Sequence, residues 1–298
     1  MKKITFAIAA TLFSLTLFAD AAPTVRDGFA LLSKGKHAEA EKIFRAIASR
    51  ESKLDKYAGT HGLMFALRYQ KKNEEVIKEV DAWLKANPDA TPRQKASLYV
   101  FKGNAFRDLQ KVDEALAVYQ AGFEFKDIPN SIDCAREYVS LACNSKKYDL
   151  AHKMFEEAYK EPASKKSIPF LMSCANLMWK TNKGDIGIKL LTEAESLKLS
   201  NYQMESLYRH KGYIYRDCIK NQEEAVKAFE KALNVPGIRD VEKAVLWNNI
   251  GNAYEKDDDY EKAVEAYKKV GTFNVKGWFV KSAENAAKRL QKKIDAGE

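Results

Sequence analysis

The sequence predicts an all-α protein, a solenoid of about seven stacked helix–turn–helix units closed by one further helix. Two observations predict it. A position that is Ala or Gly in six of seven copies recurs at Ala40, Val76, Ala115, Ala151, Gly187, Ala225 and Ala263, at steps of 36, 39, 36, 36, 38 and 38 residues. Around each copy, apolar residues lie three, four and seven apart, the spacing of one helix face. No alternating strand pattern of useful length accompanies them.

Each unit reads the same way. Twelve residues before the anchor lies a contact on the first helix: Gly28, Met64, Gly103, Val139, Ala175 and Gly251. Gly212 is thirteen before Ala225, so that copy carries one extra turn residue. Three residues after each contact comes a larger side chain, Leu31, Leu67, Phe106, Met178, Tyr215 or Tyr254, with Ala142 the weak member. Four after each anchor comes Phe44, Val80, Tyr119, Phe155, Leu191, Phe229 or Tyr267. Small residues let two helices approach and the aromatics fill the space beside them, which is core packing.

The punctuation agrees. Thr91-Pro92-Arg93-Gln94 reads as a helix start, with Thr91 capping, Pro92 in the first turn and Gln94 reaching back. Asn221 to Glu224 is a similar cap. Pro88, Pro129, Pro162 and Pro236 fall where a second helix should end. From Trp278 to about Ile294 a stripe of Trp278, Phe279, Ala283, Ala286, Leu290 and Ile294 predicts a helix that caps the last unit. An amphipathic helix lying on a membrane surface is the alternative.

These residues resemble the tetratricopeptide repeat family, through the Trp/Tyr–small–aromatic set of the first helix and the Ala–aromatic–Ala set of the second, such as Ala225, Phe229 and Ala232 before Pro236. The resemblance covers residues 22–277 and is strongest in the copies from Ala96 and Ala244. The copies from Ala22 and Tyr57 are the most degenerate, with Val76 and Val80 replacing the usual pair in the second. It implies a right-handed α-solenoid whose first helices line a concave groove that takes an extended peptide or a partner helix.

The N-terminus has the pattern of a cleavable export signal over residues 1–21. Lys2 and Lys3 precede an apolar run from Ile4 to Ala19, and Ala19-Asp20-Ala21 fits a small-x-small cleavage site. The expectation is an exported chain, periplasmic or secreted, with 22–277 as one repeat domain, 278–298 as capping helix and tail, and no transmembrane segment after cleavage. The formal charge is +9, and cleavage would remove two cations and one anion to leave +8. The cations are interleaved with acids along helix faces, as solvated faces are. With export, this argues against nucleic acid as partner.

The search for chemistry returns little. His37, His61, His152 and His210 have no metal-ligand spacing, so no metal or cofactor is expected. Gly35-Lys36 lacks the flanks of a phosphate loop, and Asp257-Asp258-Asp259 lacks the spacing of a calcium loop, Asp259 reading as a helix cap. No catalytic arrangement stands out. Cys134 and Cys143 would lie about 13 Å apart along one helix, too far to bridge. Cys143 with Cys174 is the pair worth testing for a disulfide, and four small buried thiols are the plainer reading.

Function then falls to the face of the first helices that packing leaves unused: His61, Phe65 and Arg68; Val100, Asn104 and Arg107; Arg136, Ser140 and Cys143; Met172, Asn176 and Trp179; Arg209, Tyr213 and Arg216; Asn248, Asn252 and Glu255. The expected partner-binding set is Arg68, Asn104, Arg107, Arg136, Asn176, Trp179, Arg209, Tyr213, Arg216, Asn248 and Asn252. Asn can hold a peptide backbone through donor and acceptor, Arg grips carboxylates, and Trp179 and Tyr213 can anchor an apolar side chain. Chaperone-binding members of the family clamp a terminal carboxylate with a Lys–Asn–Asn–Lys–Arg set. Arg209, Asn249 and Lys281 fall on three of those places, but Tyr213 and Gly277 replace the other two and leave the clamp incomplete. The expected function is a non-enzymatic adaptor that binds a protein or peptide. The alternatives are a self-assembling scaffold and an envelope enzyme acting on cell-wall glycan.

Overall fold

Fifteen α-helices, and no strand, form the described residues 22–297 of the computed structural model. The leader expected over residues 1–21 lies outside them. Contacts divide the chain into two compact units, with the boundary between Gln70 and Lys71. The division falls between the two helices of the copy in which Val76 and Val80 replace the usual pair.

The first unit contains α1 (Val25–Ser33), α2 (His37–Ala48) and α3 (Lys53–Tyr69). Thr24 and Asp27 make a reciprocal cap at the start of α1. The Phe44 ring of α2 is fully buried and lies where side chains at Gly28 and Gly62 would stand.

The second unit contains α4 (Asn73–Ala86), α5 (Pro92–Asp108), α6 (Val112–Phe123), α7 (Pro129–Asn144), α8 (Tyr148–Ala158), α9 (Ile168–Lys180), α10 (Gly184–Glu195), α11 (Asn201–Ile214), α12 (Gln222–Leu233), α13 (Asp240–Lys256), α14 (Tyr260–Val270) and α15 (Trp278–Ala296). Successive helices pack as antiparallel neighbours, and first helices also pack on the next first helix, α5 on α7 and α7 on α9. All seven anchor residues are buried. A side chain at Gly103 would collide with the Tyr119 ring, and one at Gly251 with the Tyr267 ring, so these contacts set how closely the paired helices approach.

The caps at Thr91, Asn221 and Asp259 form as the sequence indicates. Pro129 instead opens α7, occupying its first turn, where a missing N–H costs nothing. The turn between the two helices of each unit passes through one left-handed residue, five before the anchor: Gly35, Lys71, Gln110, Lys146, Asn182, Lys220 and Asp258. Six of these seven carry a side chain, so the signal is invisible to a search for glycine. The following N–H closes the turn in the manner of a Schellman motif, Lys111 to Phe106 and Lys147 to Ala142, for example. Gly35 is thus a turn residue, and no phosphate loop surrounds it.

The extra residue of the sixth copy lies elsewhere than expected. It does not lengthen the turn. It widens the end of α11 into a π-helical segment, Tyr215–Ile219, before the left-handed Lys220. At the far end α15 packs Phe279, Ala283, Ala287 and Leu290 against the last pair, so its apolar stripe is already covered. Trp278 departs from that stripe: it opens the helix and is 80% exposed.

Candidate functional site

The face of α9, α11 and α13 gathers several of the expected residues into one seam. The Trp179 indole of α9 stacks on the Tyr213 ring of α11, centroids 5.3 Å apart and planes 21° apart. The Arg216 guanidinium lies 5.4 Å from the Tyr213 centroid and that of Arg209 lies 6.0 Å away. Asp217, which sequence reasoning missed, joins the elements. It accepts from Arg216 Nε and Nη2, both at 2.8 Å, from Lys256 Nζ of α13 at 2.9 Å and from Trp179 Nε1 at 3.3 Å. Arg216 Nη1 also donates to Asn249 Oδ1 at 2.7 Å.

The π-helical segment makes this possible. Arg216 and Asp217 are consecutive within it, and there they pair with each other while reaching α9 and α13. A π turn in place of a regular turn is a frequent mark of a functional position. The backbones of α11 and α13 also approach less closely than those of α5 and α7. Side chains rather than backbone packing join the first helices here. The extra residue between Gly212 and Ala225 was the one sequence signal that could have led to Asp217.

Electrostatics follow from these contacts. Burial raises the carboxyl pKa of Asp217, but its bonds to Arg216 and Lys256 outweigh that and hold it well below the usual carboxylate range. Arg209 donates to the buried Glu205 at 2.8 Å. On α5 and α7, Glu137 bridges two cations, accepting from Arg107 at 3.0 Å and Arg136 at 2.8 Å. These arginines are therefore already engaged, and none stands as an isolated positive charge.

The asparagines divide into two groups. Asn104 is buried and accepts the Tyr119 hydroxyl at 2.8 Å, which removes it from the expected binding face. Asn252 is likewise engaged, donating to the Tyr267 hydroxyl, whose own proton goes to Glu255 at 2.9 Å. The cause is local. The residue after the first-helix contact faces the residue four after the anchor, and where the latter is Tyr its hydroxyl needs a buried partner. Asn176 faces the Leu191 copy and carries no such duty. Asn176 and Asn248 are half-buried and make no hydrogen bond among the described residues. Cys143 is buried, another departure from the expected open face. Arg68 belongs to α3 of the first unit and is half-buried there.

The carboxylate clamp is not assembled. Arg209 is paired with Glu205, Asn249 holds Arg216 and the Val245 carbonyl, and Lys281 lies exposed on α15. The cysteines stand as four free thiols, with Cys143 and Cys174 unjoined; Cys134 points at the Ala96 carbonyl and Cys218 at that of Trp179. Burial pushes the Cys134 and Cys174 thiols up, which makes them poor nucleophiles. Among the described residues no group of His, Cys, Asp or Glu is placed to hold a metal ion, and no helix is long and apolar enough to cross a membrane.

Stacked helix pairs with a side-chain-rich first-helix face define a helical-repeat protein. The family model for the tetratricopeptide repeat matches residues 244–270, the pair α13 and α14. A tetratricopeptide repeat protein from Parabacteroides merdae is similar over 88% of this chain and 96% of its own, at 16% identity and a TM-score of 0.53. The APC/C hetero-tetramer Cut9-Hcn1 is similar over 89% of this chain at 12% identity and a TM-score of 0.59. Yeast Tom70 is similar over 91% at 16% identity and a TM-score of 0.54. The chain spans only 48% and 53% of those last two. No curated protein matches the chain. Residues 244–270 thus match a tetratricopeptide repeat, and the chain as a whole has the fold of tetratricopeptide-repeat solenoids.

Proposed function

We propose that the chain is a non-enzymatic adaptor that holds a protein or peptide partner across the first-helix face of α9, α11 and α13. The observation that carries this reading is the half-buried Trp179–Tyr213 stack bounded by Arg209 and Arg216. Trp, Tyr and Arg are the residues that dominate binding energy at protein interfaces. Here the indole and phenol are rigid before any partner arrives, so little ordering entropy is lost on binding. The amides of Asn176 and Asn248 beside them can serve a peptide backbone. The similar Cut9-Hcn1 assembly is a hetero-tetramer, which is consistent with such a role for this fold.

The adaptor works outside the cytoplasm in this reading. Support comes from the sequence alone, through Lys2, Lys3, the apolar run to Ala19 and the Ala19-Asp20-Ala21 site.

The test is capture of partners from cross-linked envelope extract of the source organism, wild type beside Trp179→Ala. A protein retained by wild type and lost by the variant, with helix content equal by circular dichroism, supports the reading. Equal capture of the same protein by both moves the site off this face.

A further inference from the structure

The terminal helix carries a second surface that the adaptor reading does not use. Its outward face is a separate stripe, Trp278, Lys281, Asn285, Lys288 and Lys292, spaced three, four, three and four residues apart. That spacing keeps one side of a helix in register. All five are exposed, Trp278 at 80%. Lys281, Lys288 and Lys292 make no ion pair among the described residues. From 268 to 297 the chain holds eight basic residues against two acidic ones, so this end carries a concentrated share of the whole chain's +9.

Beside the stripe, α14 and α15 border an open groove of about 330 Å³ with Tyr267, Gly271 and Ala287 in its walls and Lys268, Lys288, Gln291 and the single carboxylate Glu284 around it. Exposed lysines alone would be an ordinary solvated face. An exposed indole at one end of them and an apolar groove along one side are not ordinary.

From this we infer that the outward face of α15 docks on an anionic phospholipid surface. Lys281, Lys288 and Lys292 of that face, with Lys268 of α14 at the groove rim, meet headgroup phosphates and Trp278 enters the headgroup layer. Three features favour lipid over an acidic protein. Lysine is a strongly hydrated point charge on a long stem, suited to a diffuse layer of phosphates, whereas paired carboxylates favour the arginine fork. The nearby Arg289 is turned back onto Glu255 at 2.6 Å, so lysines make up the outward cations. Tryptophan prefers the boundary between water and acyl chains. The helix docks without inserting its apolar stripe, because α14 already covers that stripe. Docking is therefore shallow and electrostatic, and salt weakens it.

The experiment is co-sedimentation of the full chain with vesicles of phosphatidylcholine alone or mixed with phosphatidylglycerol. The wild type is compared with Lys281→Gln/Lys288→Gln/Lys292→Gln and with Trp278→Ala. At about 1 kcal/mol per lysine, near fivefold each, the triple variant loses roughly a hundredfold in affinity for the mixed vesicles. Trp278→Ala also binds more weakly and lacks the blue shift in tryptophan emission that wild type shows on those vesicles. All variants carry the same N-terminus, so the difference isolates α15. The inference is overturned if the triple variant binds as wild type does, if neutral and anionic vesicles are bound alike, or if the face binds polyglutamate but no vesicle. The last result would assign it to a protein partner.

Discussion

Trp179 and Tyr213 lie on neighbouring first helices with their rings nearly parallel, and the same indole donates to Asp217. The stack thus has a fixed azimuth as well as a fixed contact. Trp179→Ala should cost roughly 1–2 kcal/mol of stability from lost half-buried aromatic area and stacking. A cycle with Tyr213→Ala should show a coupling of about 1 kcal/mol in urea unfolding followed by circular dichroism. Strict additivity would show that the rings are adjacent without supporting each other.

Asp217 links pH to stability with a definite sign. Its folded pKa lies below the ordinary 3.8, so its contribution is fully present above that value and disappears as pH falls through the folded pKa. Asp217→Asn should lower stability by about 1–2 kcal/mol at neutral pH, because two cations lose their charged acceptor. The gap between wild type and variant should narrow only below pH 3.8. Denaturant titrations at several pH values check this, and a gap that narrows near neutrality would implicate another group.

Tyr119 and Asn104 form a pair that should be exchangeable only together. Asn104→Ser alone leaves the buried Tyr119 hydroxyl without its partner and should cost about 1–3 kcal/mol. Adding Tyr119→Phe should recover part of that loss, since Ser140 with Phe155 is the combination the next copy uses. Thermal unfolding of the two single variants and the double variant decides it.

The left-handed turn residues offer a gain. Gln110 and Lys146 have φ of 61° and 58° and are solvent-exposed. Replacing each with Gly relieves the Cβ strain and should raise stability by about 0.5–1 kcal/mol per site, net of backbone entropy. The midpoint of thermal unfolding should rise by a few degrees in the double variant; a fall would mean that those side chains contribute contacts of their own.

Gly251 admits no such freedom. A methyl group there meets the Tyr267 ring at 2.7 Å, so Gly251→Ala should force the pair α13 and α14 apart and cost about 1–3 kcal/mol. Unfolding midpoints measure this directly, and an unchanged midpoint would show that the Tyr267 ring moves aside easily.

Much of this fold was legible because one physical requirement recurs: small residues at helix crossings and an aromatic four residues on. Ala115 and Tyr119, or Ala263 and Tyr267, announce it without any knowledge of neighbours. The left-handed turns were not legible, because Lys71, Gln110 and Lys146 tolerate a conformation for which sequence reading expects Gly or Asn. The site was legible in part. Trp179, Tyr213 and Arg216 follow from projecting one helix face. Asn104 was misread because a projected face shows where a side chain points but not whether a tyrosine from the partner helix is waiting there. Asp217 was hidden because the projection assumes regular α-helical turns, and it lies in a π-helical one.

That irregular turn has a consequence for how the chain can change over generations. Tandem copies ordinarily behave as spare parts, open to duplication, loss or exchange by unequal recombination. The sixth copy is an exception, because its inserted residue sets Arg216 and Asp217 in register with Trp179 before them and Lys256 after them. Substituting any other copy for it would keep a stack of helices and erase the seam. Lineages of this protein should therefore vary in how many units precede Met172, while the stretch from Trp179 to Lys256 is inherited as a block.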